Sequence, residues 1–264
     1  MWWSCRVDGM NDEVSRETAD VAGASTPAAR APSAPPVARR VFGSERLPLA
    51  QRYADLLATE GVVRGLIGPR EASRLWERHL LNCAVLGELV PEGATVCDIG
   101  SGAGLPGLVL AIARPDLRIT LVEPLLRRTT FLEEVVAELA LDDVEVVRGR
   151  AEALHGERRF DVVTSRAVAP LERLLGWSMP LVEPTGALVA MKGSSVHEEI
   201  AAAGPTLRRL GCASPSVTVL GVDLLESTTV ALRVAWADPA RVSWPLAVTP
   251  AKRPGARARR KRAR

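Results

Sequence analysis

The stretch VCDIGSGAGLPGLVL, residues 96–110, decides the fold class. An apolar run from Val96 to Ile99 gives way to glycines at 100, 102, 104 and 107, and then to the apolar beginning of a helix. A strand that turns into a helix through glycines belongs in a parallel α/β sheet, where ligands settle beyond the carboxyl ends of the strands. Glycine suits that turn because its backbone takes positive φ and lets a ligand approach with no Cβ in between. Gly102 to Gly107 spells G-x-G-x-x-G, the dinucleotide pattern. The register is unusual for it, because Asp98 and Gly100 already stand at the end of the strand. Read from Asp98 to Gly104, the spacing is D-x-G-x-G-x-G.

Downstream, short apolar runs alternate with helical patterns. The runs are TVCDI (95–99), RITLVE (118–123), VEVVRG (144–149), FDVVTS (160–165), GALVAMK (186–192), PSVTVLGV (215–222) and TTVALRVAW (228–236). Between them lie helical stretches such as LEEVVAELAL (132–141) and HEEIAAAGPTLRRL (197–210). This alternation predicts βαβ units and a mostly parallel sheet with helices on both faces. The last two runs are joined by a short connection with Gly221 and Asp223, which predicts an antiparallel pair at one edge. Upstream, Leu49, Tyr53, Leu56 and Leu57 predict an amphipathic helix ending near Gly61. A second helical stretch, 71–90, places Trp76, Leu80, Cys83 and Ala84 on one side. The expected organisation is an Ala/Pro-rich leader without fixed structure over 1–44, a helical segment over 45–92, the α/β domain over 93–237, and a basic tail over 238–264.

Charge is unevenly placed. The tail KRPGARARRKRAR (252–264) holds eight of the 34 Lys and Arg, which leaves 26 bases against 31 acids in the rest, a net of −5. A mildly acidic body with a strongly basic end points to a polyanionic partner. The four cysteines are scattered, with no C-x-x-C and no nearby histidine pair, so they read as reduced thiols and not as a zinc site or a disulfide framework. No stretch has the length of a signal-peptide core or a membrane span. A cytoplasmic monomer with no membrane or metal partner is expected.

The glycine loop holds a nucleotide-like cofactor, and its register fits S-adenosylmethionine, which has no pyrophosphate, better than a nicotinamide dinucleotide. The next run ends in Glu123, where a carboxylate can accept hydrogen bonds from ribose hydroxyls. That acid serves either cofactor and does not discriminate. The fold expected is a class I S-adenosylmethionine-dependent methyltransferase, Rossmann-like, with a seven-stranded sheet. After the fourth run, enzymes that methylate exocyclic amines often carry an Asn/Asp/Ser-Pro-Pro-aromatic loop. This chain reads SRAVAP (165–170) instead, which argues against adenine-N6 chemistry. Arg166 there, Lys192 at the end of the fifth run, and His79 on the preceding helical stretch are candidates for positioning a substrate. Each also has a plain reading, as a loop arginine, a solvated strand terminus and a satisfied helical histidine.

Taken together, LWERHLLNC (75–83), DIGSGAGLPGLVLAIARPDL (98–117), LVEPLLRRTTFL (121–132), VVRGRAE (146–152), FDVVTSRAVAPL (160–171) and LVAMKG (188–193) resemble the RsmG/GidB family, the bacterial 16S ribosomal RNA guanine-N7 methyltransferases. The resemblance runs from about residue 42 to 236. It implies a cofactor pocket that uses Gly100, Leu105, Ala151, Glu152 and Arg166, with Gly102 and Gly104 in the loop and Glu123 at the ribose. It implies 16S ribosomal RNA, free or in the small subunit, as partner, and no metal. Two other readings stay open on the residues alone: a nicotinamide-dependent oxidoreductase, and a non-catalytic RNA-binding assembly protein.

Overall fold

Seven strands form one sheet in the computed structural model, which describes residues 30–244. They are β1 (Thr95–Ile99), β2 (Arg118–Glu123), β3 (Val144–Arg148), β4 (Phe160–Arg166), β5 (Val182–Lys192), β6 (Ser216–Leu220) and β7 (Thr229–Ala235). Their order is 3-2-1-4-5-7-6, so every apolar run picked out in the sequence became a strand. Strands β1 to β5 pair in parallel, and β7 enters antiparallel between β5 and β6. This is the class I methyltransferase sheet. Chain order reverses between β1 and β4, and the crevice at such a switch point is where an α/β sheet takes its ligand.

Side chains alternate across the sheet as a strand period of two requires. Val96, Ile119 and Leu121 face one core, shared with helices α1 (Ala38–Leu56), α3 (Gly107–Ala113) and α4 (Leu126–Glu138). Cys97, Ile99 and Val163 face the other, shared with α5 (Leu171–Ser178) and α6 (Val196–Leu210). In α3, Leu108, Val109, Leu110 and Ile112 are all fully buried, so this helix is locked to the sheet directly behind the glycine loop.

The helical segment starts earlier than the boundary expected near residue 45. Helix α1 begins at Ala38 and bends at Gly43, whose φ of 71° breaks the helical run. Phe42 is buried and meets Trp76 edge-on, ring centroids 6.0 Å apart. Trp76 Nε1 also donates to the Pro32 carbonyl at 2.8 Å, and the Ala34 amide donates to Gln51 Oε1 at 2.8 Å. Tertiary contacts thus order a stretch whose composition gave no sign of it. The expectations for residues 1–29 and 245–264 lie outside the described residues. Residues 71–90 are not one helix but a 3-10 turn (Ala72–Arg74), a π turn (Trp76–Leu80), the short α2 (Leu81–Ala84) and a second 3-10 turn (Val85–Leu89). π turns recur at functional sites, and this one carries His79.

Candidate functional site

The glycine loop is built on Asp98. This aspartate is fully buried at the end of β1, and its Oδ2 accepts the amide of Gly107 at 3.0 Å, which anchors the start of α3. A Cβ on Gly107 would lie 2.8 Å from that oxygen and 2.3 Å from Leu121 Cδ2. The fourth glycine, incidental to the cofactor pattern, is therefore required by close helix–strand packing. Gly102 stands differently: its φ is +59°, and the nearest atom to a Cβ there is the Gly100 carbonyl oxygen at 3.8 Å. Open space faces this residue. Gly100 takes φ +68°, with Val168 of the β4–α5 loop directly over it, Cγ2 at 3.0 Å from a Cβ position. Gly104 and Leu105 complete the turn, whose carbonyl at Ala103 accepts the buried Tyr53 hydroxyl at 2.6 Å.

Glu123 ends β2 beside this loop and is buried. Its carboxylate accepts the amides of Gly102 and Leu125, each at 3.0 Å, and Arg128 Nη1 at 3.4 Å. The Gly149 amide donates to the Glu123 carbonyl at 3.1 Å, which draws the end of β3 alongside. Ala151 is buried at the start of the following 3-10 turn, and Glu152 beside it is exposed. Gly100, Gly102, Gly104, Leu105, Glu123, Ala151 and Glu152 thus come from the carboxyl end of β2 and from the segments that follow β1 and β3.

Arg166 and Lys192 end β4 and β5 and border a cleft of about 1050 Å³, lined also by Glu71, His79, Asn82 and Val168. Val168 belongs to both places, since it also covers Gly100. The Arg166 guanidinium turns toward the N-terminal segment. Its Nη2 donates to His79 Nδ1 at 2.6 Å and to the Arg78 carbonyl at 3.2 Å, and Nη1 to Cys83 Sγ at 3.4 Å. The other ring nitrogen of His79 lies 3.0 Å from Glu71 Oε2. Burial, reinforced by the Arg166 charge, lowers the His79 pKa to about 4. The hydrogen bond from His79 in turn holds the half-buried Glu71 carboxyl below its usual range.

Lys192 has a different environment from the solvated terminus or substrate contact foreseen. Its side chain is 8% exposed, and Nζ donates to Glu199 Oε2 at 2.7 Å and to the Ala169 carbonyl at 3.1 Å. The same Glu199 oxygen accepts the Leu171 amide at 2.9 Å. The pair fastens the far end of the SRAVAP loop, while Arg166 fastens its beginning. Between them Ala167 takes φ +53°, unusual for a residue with a side chain.

Sequence reasoning missed Glu71, Asn82 and Glu199. Among the described residues, Asn82 Oδ1 is shut away from solvent with no hydrogen-bond partner, and so is Asp98 Oδ1. Burial, eased by the Gly107 amide, raises the Asp98 pKa to about 7.

Comparison with known proteins decides which family uses this arrangement. The family described as GidB: rRNA small subunit methyltransferase G matches residues 46–223. The chain belongs to this family. A ribosomal RNA small subunit methyltransferase G of Nocardioides sp. is 70% identical over 255 residues, spanning 97% of this chain and 96% of that protein. Proteins of the same name from Streptomyces avermitilis and Streptomyces coelicolor are each 57% identical, over 79% and 78% of this chain and 88% and 87% of their own lengths. The family resemblance read from the motifs is thereby borne out, and the nicotinamide reading of Gly102 to Gly107 is set aside. As a GidB member, the chain is a class I S-adenosylmethionine-dependent methyltransferase of ribosomal RNA.

Proposed function

We propose that this GidB family member transfers the methyl group of S-adenosylmethionine to N7 of one guanine in 16S ribosomal RNA, working as a cytoplasmic monomer on the RNA or the small subunit. The observation that carries the reading is Val168: one residue separates the glycine loop from a cleft large enough for a nucleotide. The donor and acceptor sites are therefore next to each other.

The residues of the loop fit the cofactor. Gly102 faces open space, and the buried Asp98 Oδ1 at the end of β1 is left without a hydrogen-bond partner among the described residues. In this reading Gly100, Gly102, Gly104 and Leu105 hold the cofactor, Glu123 meets its ribose, and Ala151 and Glu152 lie at its adenine. S-adenosylmethionine supplies an electrophilic methyl on a sulfonium when bound.

Guanine N7 bears a lone pair and no proton at neutral pH, so no general base is required. The protein's task is alignment, and holding reactants in line is worth up to ~7–11 kcal/mol. Arg166, for which the family resemblance implied a place in the cofactor pocket, borders the cleft with its guanidinium bound to His79, Arg78 and Cys83, and it is the residue assigned to the acceptor. A guanidinium has five N–H donors, and the bonds to His79, Arg78 and Cys83 use up only part of that set. The others can serve guanine O6 or a phosphate. Lys192 acts through the SRAVAP loop and not on RNA. A base in folded RNA must be unstacked to reach such a cleft.

The test is methyl transfer from labelled cofactor to small subunits lacking the modification, followed by strand scission at 7-methylguanine. One methyl per subunit at a single guanine is expected. Binding of RNA with no transfer would leave the assembly-protein reading in its place.

A further inference from the structure

Resting on the reading of Arg166 as the acceptor-side residue, we infer that Glu71 and His79 are positioning residues, a relay that aims Arg166 into the cleft through one fixed tautomer of the histidine. Three separate pieces of the fold meet here: Glu71 precedes the first 3-10 turn, His79 sits on the π turn, and Arg166 ends β4. A guanidinium can only donate, so the His79 Nδ1 that lies 2.6 Å from Arg166 Nη2 holds a lone pair. The proton is then on Nε2, facing the Glu71 carboxylate at 3.0 Å. The opposite tautomer, or an imidazolium, would set one donor against another at Arg166. Burial and the neighbouring arginine, which keep the pKa of His79 near 4, keep the ring neutral at working pH.

Interposing an imidazole has a chemical purpose. A carboxylate placed directly on Arg166 would orient it equally well but would also cancel its charge toward an anionic RNA. A neutral acceptor orients the guanidinium and leaves its charge available, while the carboxylate that fixes the tautomer stays one ring further away. Glu71 is itself held, since its Oε1 accepts Arg78 Nη1 at 3.2 Å. The neighbouring bonds from Arg166 to the Arg78 carbonyl and Cys83 Sγ hold the same plane.

The test combines substitution with a direct view of the ring. His79→Leu removes the acceptor, and His79→Asn returns an amide oxygen near the place of Nδ1. His79→Leu is expected to lower kcat about 10–100-fold, the scale of a misplaced contact, with affinity for S-adenosylhomocysteine in calorimetry within about twofold of wild type. His79→Asn is expected to recover most of that loss, which a merely structural role would not explain. In the wild-type protein, nitrogen NMR at pH 7 should show His79 as the neutral form with the proton on Nε2, and Glu71→Leu should destroy that single-tautomer signature. A proton on Nδ1, an imidazolium, an Asn variant as impaired as Leu, or a parallel loss of cofactor affinity overturns the relay. If His79→Leu does not fold, the ring signature and the Asn variant still decide. A wild-type protein that transfers no methyl sinks the function proposed above instead, and the ring signature tests the relay regardless.

Discussion

Replacing Asp98 by asparagine should change the stability of this protein in opposite directions at two pH values. The carboxyl is fully buried, one oxygen has no partner, and its pKa is raised from 3.8 to about 7. A raised carboxyl pKa favours folding below the unfolded pKa, where the acid is neutral in both states, and that contribution is lost as pH rises through the folded value. At 1.36 kcal/mol per pH unit, the ionisable group burdens the folded state by roughly 4 kcal/mol at pH 8, and by only about 1 kcal/mol at pH 4.5. Asparagine keeps an acceptor for the Gly107 amide and cannot ionise, but it puts a partnerless NH2 where Oδ1 was, at a cost of about 1–3 kcal/mol independent of pH. The variant should therefore be more stable than wild type by about 1–3 kcal/mol at pH 8, and equal or less stable at pH 4.5. For a protein of this size the swing of roughly 3 kcal/mol corresponds to about 6–12 °C in relative Tm. Urea and thermal unfolding of both proteins at the two pH values measure it. A difference between the proteins that does not change with pH would refute the burial argument.

Three other substitutions probe separate parts of the site. Gly107→Ala forces a Cβ to 2.3 Å from Leu121 and 2.8 Å from the Asp98 carboxylate, and should cost about 1–3 kcal/mol as overpacking, read as a lower urea midpoint at unchanged m-value. Asn82→Leu removes a buried oxygen that has no partner, so Tm should stay level or rise while methyl transfer falls; loss of stability with full activity would mean that Asn82 is structural. Lys192→Met leaves Glu199 without its buried cation and should lower stability by about 1.5–3 kcal/mol, while RNA affinity of the folded protein, measured against salt, keeps its slope. A reduced slope would return Lys192 to the RNA.

The sheet was legible because its strands are short Val/Ile-rich runs with sharp edges, alternating with helical stretches that cover both faces of a parallel sheet. The loop was legible because its glycines answer to local backbone need. The contacts that specify the cleft were not. Lys192 and Glu199 are separated by a strand-to-helix turn, and nothing in MKGSSVHEE says that the lysine is buried or that the two meet. Glu71 reaches His79 because the segment winds as 3-10 and π turns instead of a regular helix, a departure that amphipathic spacing does not encode. The early start of α1 rests on Phe42 finding Trp76, a pairing that exists only once the chain has folded.

One consequence joins these missed contacts. Both charged clusters hold the same six residues, SRAVAP, from opposite ends: Arg166 by its bonds to the N-terminal segment, Ala169 and, just past the loop, Leu171 by the Lys192–Glu199 pair. An alanine at positive φ between them is strained by about 1–3 kcal/mol, and such a backbone persists only where its surroundings over-determine it. What that conformation achieves is to lay Val168 against Gly100, at the boundary between the glycine loop and the cleft. The strain is located where the two substrates must be brought together, and the residues that maintain it lie on four different elements. A methyl transfer without a general base depends on distance and angle alone, so the precision has to come from the protein, and in this chain it comes from pinning one short loop at both ends.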